Sequence, residues 1–312
     1  MVHTVAIIGA TGLQGGSVLR SLYKTDKYKL IAVTRNVTSQ SAKAIKEKYP
    51  DVELVQADLD DVESLKNAFK GADTVFGMTQ FEDPSILSKV AAGDLDAEFN
   101  QGKNTIDAAI VTDVKNVIFS TIYSLKKLSG GKYADALEFE GKYKIEQYLW
   151  SKADKIRGVA VQLGSYMEDY VDYARISPED NETVEFVFPV APTTKLPFVD
   201  TAKDTGGVVA YILDHFADFV GKPFEISGGY YEAQELAKAF QEATGKPACY
   251  IQLPISAINN KNTEQGYQGF EEFGYYGGRT DFLEINKKMD YKFTTLVDFW
   301  KNRGWTGPEP SK

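Results

Sequence analysis

Thiols and imidazoles are almost missing from this chain: Cys249 is its only cysteine, and His3 and His215 are its only histidines. One cysteine cannot close an internal disulfide, and so few soft ligands exclude a clustered His/Cys zinc site. A Ser-His-Asp relay is equally ill served, since His3 adjoins the first apolar run and His215 ends a helical-looking stretch at 208–215. Excess positive charge is lacking too. Lys and Arg number 35 against 44 Asp and Glu, a formal charge of −9 that repels phosphate backbones and anionic membrane surfaces. No apolar run reaches the roughly 18 residues of a membrane span, and no signal-peptide pattern precedes the first strand-like run. These absences predict a cytoplasmic protein without a metal site that binds neither nucleic acid nor membrane directly.

What is present suits a globular protein of about two domains: 312 residues, 43% of them hydrophobic. Short apolar runs at 5–8, 30–33, 52–55 and 74–76 alternate with amphipathic stretches at 18–23, 42–48 and 65–69. That is a βαβαβ pattern. Further strands are expected at 117–120 and 159–163, with a helix over 99–110 before the first and a long charged helix over about 133–150 before the second. Parallel strands joined by helices make a doubly wound α/β sheet. Beyond Gly164 the texture becomes acidic, aromatic and proline-punctuated, which sets an expected boundary between domains at 1–164 and 165–312. The run 224–227 reads as a strand returning to the sheet, so the second, smaller α+β domain is expected to be partly interleaved. Helices are expected at 233–243 and 296–300, a strand at 250–252, and a loose tail at 308–312.

The strongest motif lies between the first strand and first helix, where Gly9-Ala10-Thr11-Gly12-Leu13-Gln14-Gly15 reads Gly-x-x-Gly-x-x-Gly. In a phosphate-binding turn Gly9 permits the sharp bend, Gly12 lets the backbone approach a pyrophosphate, and Gly15 lets helix pack on strand. Thr34, Arg35 and Asn36 end the second strand with no carboxylate, and a guanidinium matches a 2′-phosphate. The expected cofactor is therefore NADP(H). Asp58, after the third strand, either lies near the adenine or caps the next helix.

The reacting residues are less plain. Tyr and Lys stand four apart at Tyr23/Lys27, Tyr123/Lys127 and Tyr148/Lys152, the spacing by which a Lys lowers a phenol pKa, but none sits well for catalysis. The chain does resemble the NmrA-like family of atypical short-chain dehydrogenase/reductases almost end to end. The resemblance rests on residues 9–16, 33–36, 56–61, Phe139-Glu140-Gly141-Lys142 with Ile145-Glu146, and Leu163-Gly164-Ser165-Tyr166-Met167-Glu168. It implies a Rossmann-type NADP(H) domain with a smaller C-terminal domain that meets a substrate or protein partner. Some such relatives are regulators or redox sensors that bind a dinucleotide and a protein; others resemble isoflavone-type or quinone reductases, which for this chain would imply a small carbonyl, enone or quinone substrate.

In those reductases a Lys on the helix after the fifth strand does acid–base or orienting work, and Lys142 matches it. Glu138, four residues earlier, stands where the reductase pattern has Tyr. Three roles are open to Lys142: holding the nicotinamide ribose, donating a proton, or pairing with Glu138 across one helical turn. Ser120 and Thr121 end the fifth strand and either bond a substrate carbonyl or terminate the strand. Thr79 and Gln80 are expected at the cofactor, and Phe81, Tyr123, Tyr166 and Met167 at the substrate, Tyr166 also touching the nicotinamide. The aromatic cluster Tyr267, Phe270, Phe273, Tyr275 and Tyr276 reads as a pocket wall, a partner surface or a buried core patch.

Overall fold

The computed structural model describes residues 2–309; the end of the expected loose tail, from Pro310 onward, lies outside the described residues. By contact the chain divides into two units. The first comprises 1–123, 137–162 and 205–225, and the second 124–136, 163–204 and 226–312.

The first unit is a Rossmann-type layer sandwich. Its strands are β1 (His3–Ile8), β2 (Tyr28–Thr34), β3 (Glu53–Gln56), β4 (Thr74–Gly77), β5 (Asn116–Thr121) and β6 (Arg157–Leu163). These pair in parallel, in the order β6-β5-β4-β1-β2-β3. Both faces are covered, so the strands carry continuous apolar runs: β5 is buried throughout and β1 from Thr4 onward. On one face Ala6 and Ile8 join Leu65, Ile106, Ala109, Ile145 and Leu149 from the helices Val62–Ala68, Ala97–Val111 and Leu137–Ser151, with Phe69 at the C-terminal cap of the first of them. Strand alternation sends Val5 and Ile7 to the opposite face, which carries the helix Leu13–Tyr23. There Gly206 allows a close approach, since a Cβ on it would stand 2.1 Å from the Ser17 carbonyl oxygen.

The second unit holds two three-stranded sheets. With β7 (Ser165–Tyr166), β8 (Ala174–Ile176), β9 (Val184–Phe188), β10 (Lys195–Val199), β11 (Pro223–Ile226), β12 (Gly229–Glu232) and β13 (Ala248–Gln252), the orders are β12-β10-β7 and β13-β9-β8. Each mixes parallel and antiparallel pairs, as expected of a mixed α+β domain. β11 is the returning strand and adds to β6 at the edge of the large sheet. Of the aromatic cluster, Tyr267, Tyr275 and Tyr276 are buried, and successive ring contacts run from Tyr267 through Phe270, Tyr275 and Tyr276 to Phe282. The expected charged helix begins at Leu137 rather than near 133, because Ser124 caps a separate short turn, Leu125–Leu128, and Gly130 and Gly131 both take positive φ. Among the described residues no helix is long and apolar enough to cross a membrane.

Candidate functional site

The strand order reverses between β1 and β4, and in an open parallel sheet a ligand crevice lies off the carboxyl ends of the strands at such a point. At the end of β1 the chain turns at Gly9, with φ +66° and its N-terminal neighbour already buried. A Cβ at Gly9 would meet the Met78 sulfur at 2.7 Å, so the turn abuts the segment that leaves β4. The Gly12 N–H donates to the Gly9 carbonyl at 2.8 Å and closes the turn. Gly15 packs helix on strand: a Cβ there would stand 2.4 Å from Gly9 O and 2.5 Å from Ile8 O. Gly12 differs. Its Cβ would meet only Gly9 O, at the ordinary contact distance of 3.4 Å.

Thr11, Gly12 and Leu13 are exposed, Gln14 and Gly15 are buried, and Gly12 caps the helix with no side chain. The packing of the protein does not require glycine at position 12. The bare backbone beside an uncapped helix start fits the pyrophosphate of a dinucleotide, which needs close approach and N–H donors.

At the end of β2, Thr34 is buried while Arg35 and Asn36 are exposed. The Asn36 side-chain oxygen accepts from the Thr38 N–H at 2.9 Å and hydroxyl at 2.7 Å, shaping the next turn. Arg35 Nη1 reaches Asp83 Oδ2 at 2.6 Å. Asp58 is exposed and its Oδ1 accepts the Asp60 N–H at 2.9 Å. The capping role weighed for it belongs to Asp61, whose carboxylate accepts from the Glu63 and Ser64 N–H groups.

After β4, the buried Thr79 donates its hydroxyl to Glu98 Oε1 at 2.8 Å. The same oxygen takes Lys142 Nζ at 2.6 Å, and Lys142 also reaches Glu138 Oε1 at 3.2 Å. Glu98 is 2% exposed and Lys142 12%. Burial pushes the Glu98 carboxyl above its usual range, against the pull of the Lys142 ammonium. Two glycines let the carrying helices close up: a Cβ on Gly141 would lie 2.7 Å from Glu98 Oε2, and one on Gly102 would lie 2.3 Å from Ile145. Glu98 was not singled out from the sequence. Its signal was a polar stripe of Glu98, Gln101 and Thr105 on the buried face of the helix.

Gln80 is exposed, and Phe81 is buried against Ile86 and Ala97. Ser120 and Thr121 are both buried and alternate across the sheet. The Thr121 hydroxyl donates to Glu146 Oε2 at 2.9 Å, and Gln162 Nε2 donates to the same oxygen at 2.8 Å. Burial raises the Glu146 carboxyl pKa as well. Tyr123 packs edge to face on Phe139. In the second unit Tyr166 pairs with Val199 across β7 and β10, and the Met167 side chain is fully buried. Glu168 caps the helix Thr201–Asp214 by accepting the Thr201 and Ala202 N–H groups at 3.1 and 2.7 Å.

The scarce imidazoles are in structural contacts. His3 Nε2 bonds the Thr74 hydroxyl at 2.9 Å, and His215 stacks on Tyr211. Tyr148 donates to Asp107 at 2.6 Å, with Lys152 4.7 Å from its ring centre.

Known proteins share this architecture. The NmrA-like family oxidoreductase cpsB of Aspergillus campestris is 30% identical over 259 residues, covering 79% of this chain and 74% of its own. NmrA, a negative transcriptional regulator solved in complex with NADP, superposes with a TM-score of 0.78 at 20% identity, covering 96% of this chain and 94% of that one. The NADPH-dependent quinone oxidoreductase of Escherichia coli, solved with NADPH, superposes with a TM-score of 0.71 at 21% identity, covering 96% and 99%. The model of the NmrA-like family matches residues 1–306. The chain belongs to the NmrA-like family.

Proposed function

We propose that this protein binds NADP(H), with the pyrophosphate over Gly12 and the 2′-phosphate at Arg35, and acts chiefly as a cofactor-responsive regulator with weak or narrow reductase activity at most. The bare Gly12 backbone supports the binding half, and the solved relatives, which hold NADP, NAD or NADPH, support a nicotinamide dinucleotide there, with Arg35 favouring the phosphorylated form. When bound, the nicotinamide supplies the capacity to give or take a hydride.

The regulatory half is carried by the engagement of Lys142. Its ammonium is held between Glu98 and Glu138, so releasing a proton there would leave the buried Glu98 charge without its cation. Thr121 likewise spends its hydroxyl on Glu146. Neither group is poised as a proton donor, whereas Lys142 remains suited to orienting a ribose beside Thr79. Regulation further requires that the cofactor favour one conformation over another.

A second reading, hydride transfer from NADPH to a small carbonyl, enone or quinone, is favoured by the activities named for cpsB and for the quinone oxidoreductase. NADPH consumption with a panel of aldehydes, ketones, enones and quinones, for wild type beside Lys142→Ala, decides between them. Binding of NADPH without turnover is the expected result. Turnover that Lys142→Ala abolishes while NADPH still binds would overturn the regulator in favour of the reductase.

A further inference from the structure

We propose that Asp83 sets how strongly the protein prefers NADPH to NADH, by competing with the 2′-phosphate for Arg35. The inference rests on the reading that a dinucleotide occupies the first turn. It concerns a residue outside the glycine motif and beyond the end of β2.

Asp83 caps the helix Pro84–Ala91, and its Oδ1 accepts the Ser85 N–H at 3.0 Å and the Ser85 hydroxyl at 2.7 Å. Pro84 at the first helical position stiffens that start. The helix is tied down further by Lys89, 2.7 Å from Asp60. The carboxylate is thus anchored through one oxygen while the other faces Arg35 Nη1 at 2.6 Å. The two partners are unequal. Asp83 is 12% exposed and fixed, whereas Arg35 is 62% exposed on a long flexible stem.

A 2′-phosphate therefore meets a guanidinium already half neutralised. It can take the open edge of the fork beside a fixed negative charge, or draw Arg35 away from Asp83. Both routes cost binding, and neither touches a cofactor with a 2′-hydroxyl. Asp83 lowers the discrimination that Arg35 alone would give.

The test is calorimetric titration of the full chain with NADPH, NADH and adenosine 2′,5′-bisphosphate. Asp83→Asn keeps the size of the side chain and a cap for Ser85 but removes the charge. It should tighten NADPH and the bisphosphate about tenfold and leave NADH within about twofold, since a unit charge near a phosphate is worth roughly a factor of ten at a protein surface. The gain should shrink as salt is raised. Asp83→Ser, another uncharged cap, should reproduce the shift and guards against a folding defect particular to Asn.

Weaker NADPH binding in both variants would mean that Asp83 orients Arg35 toward the phosphate, and equal changes for both cofactors would mean a structural role. Each overturns the proposal. Failure of the underlying reading would show separately, as wild type that binds none of the three ligands.

Discussion

The turn at residues 9–12 and the cluster around Lys142 lie in the same unit and differ in who supplies their polar partners. At the turn, Gly12 presents bare exposed backbone and the helix begins without a side-chain cap. Around Lys142 the protein pairs its own charges, with Glu98 Oε1 taking both Thr79 and the ammonium and Glu138 on the open side, while the buried Glu98 Oε2 has no hydrogen-bond partner among the described residues. Burial of a polar residue is therefore a poor guide to a ligand. An exposed position where glycine is not required by packing is the better one.

The largest test of that contrast separates two glycines of one motif. Gly15→Ala should destabilise the protein by about 3 kcal/mol or more, because its Cβ would collide with rigid backbone rather than with a movable side chain. Gly12→Val, at an open helix cap, should lower the melting temperature far less than Gly15→Ala and abolish NADPH binding. A loss of Tm in Gly12→Val as large as in Gly15→Ala would show that this glycine, too, serves packing.

A smaller effect sharpens the other side. Lys142→Met should cost about 3 kcal/mol by stranding Glu98, and the double variant Lys142→Met with Glu98→Leu should recover part of that, since removing a whole buried pair is milder than removing half. Denaturant unfolding measures both. A double variant less stable than the single one would show that Glu98 has a further role beyond its pairing.

The smallest effect concerns a buried carboxylate of the second unit. Asp204 accepts hydrogen bonds from the Tyr291 hydroxyl at 2.8 Å and the Thr294 hydroxyl at 3.0 Å, yet burial pushes its carboxyl up to about 6. A folded pKa above the unfolded one contributes stability below the unfolded value and loses it as pH rises through the folded value. Thermal melts of wild type should fall by about 2–4 °C between roughly pH 5 and 7 relative to Asp204→Asn. Parallel curves for the two proteins would show that Asp204 is charged throughout that range.

The large sheet was readable because parallel strands buried on both faces print as apolar runs, as in residues 5–8 and 117–120. The returning strand β11 was legible from Phe224 and Ile226 alternating with Glu225. The glycine motif was legible because a turn of fixed shape demands particular residues at fixed spacing. The helix Pro84–Ala91 was missed, although Asp83-Pro84-Ser85 carries a cap and an N-terminal proline. The strands β10 and β12 were missed because their partners lie about 30 or more residues away, whereas β8 and β9, which pair locally with Ile176 opposite Val184, were missed because β8 is only three residues long and carries Arg175.

Glu98 and Asp83 stayed hidden for a related reason. A carboxylate found 44 positions from its lysine, or 48 from its arginine, announces nothing locally. Only tertiary contact gives it meaning.

The late arrival of β11 has a consequence for synthesis. Leu163 ends β6, and Pro223, which opens the strand that covers it, leaves the ribosome about 60 residues later. At roughly 5–20 residues per second the nascent sheet spends on the order of 3–12 seconds with an open apolar edge. Such an edge is a template for wrong pairing. The growing chain is therefore most open to chaperones, and to its own copies on a crowded polysome, during that interval.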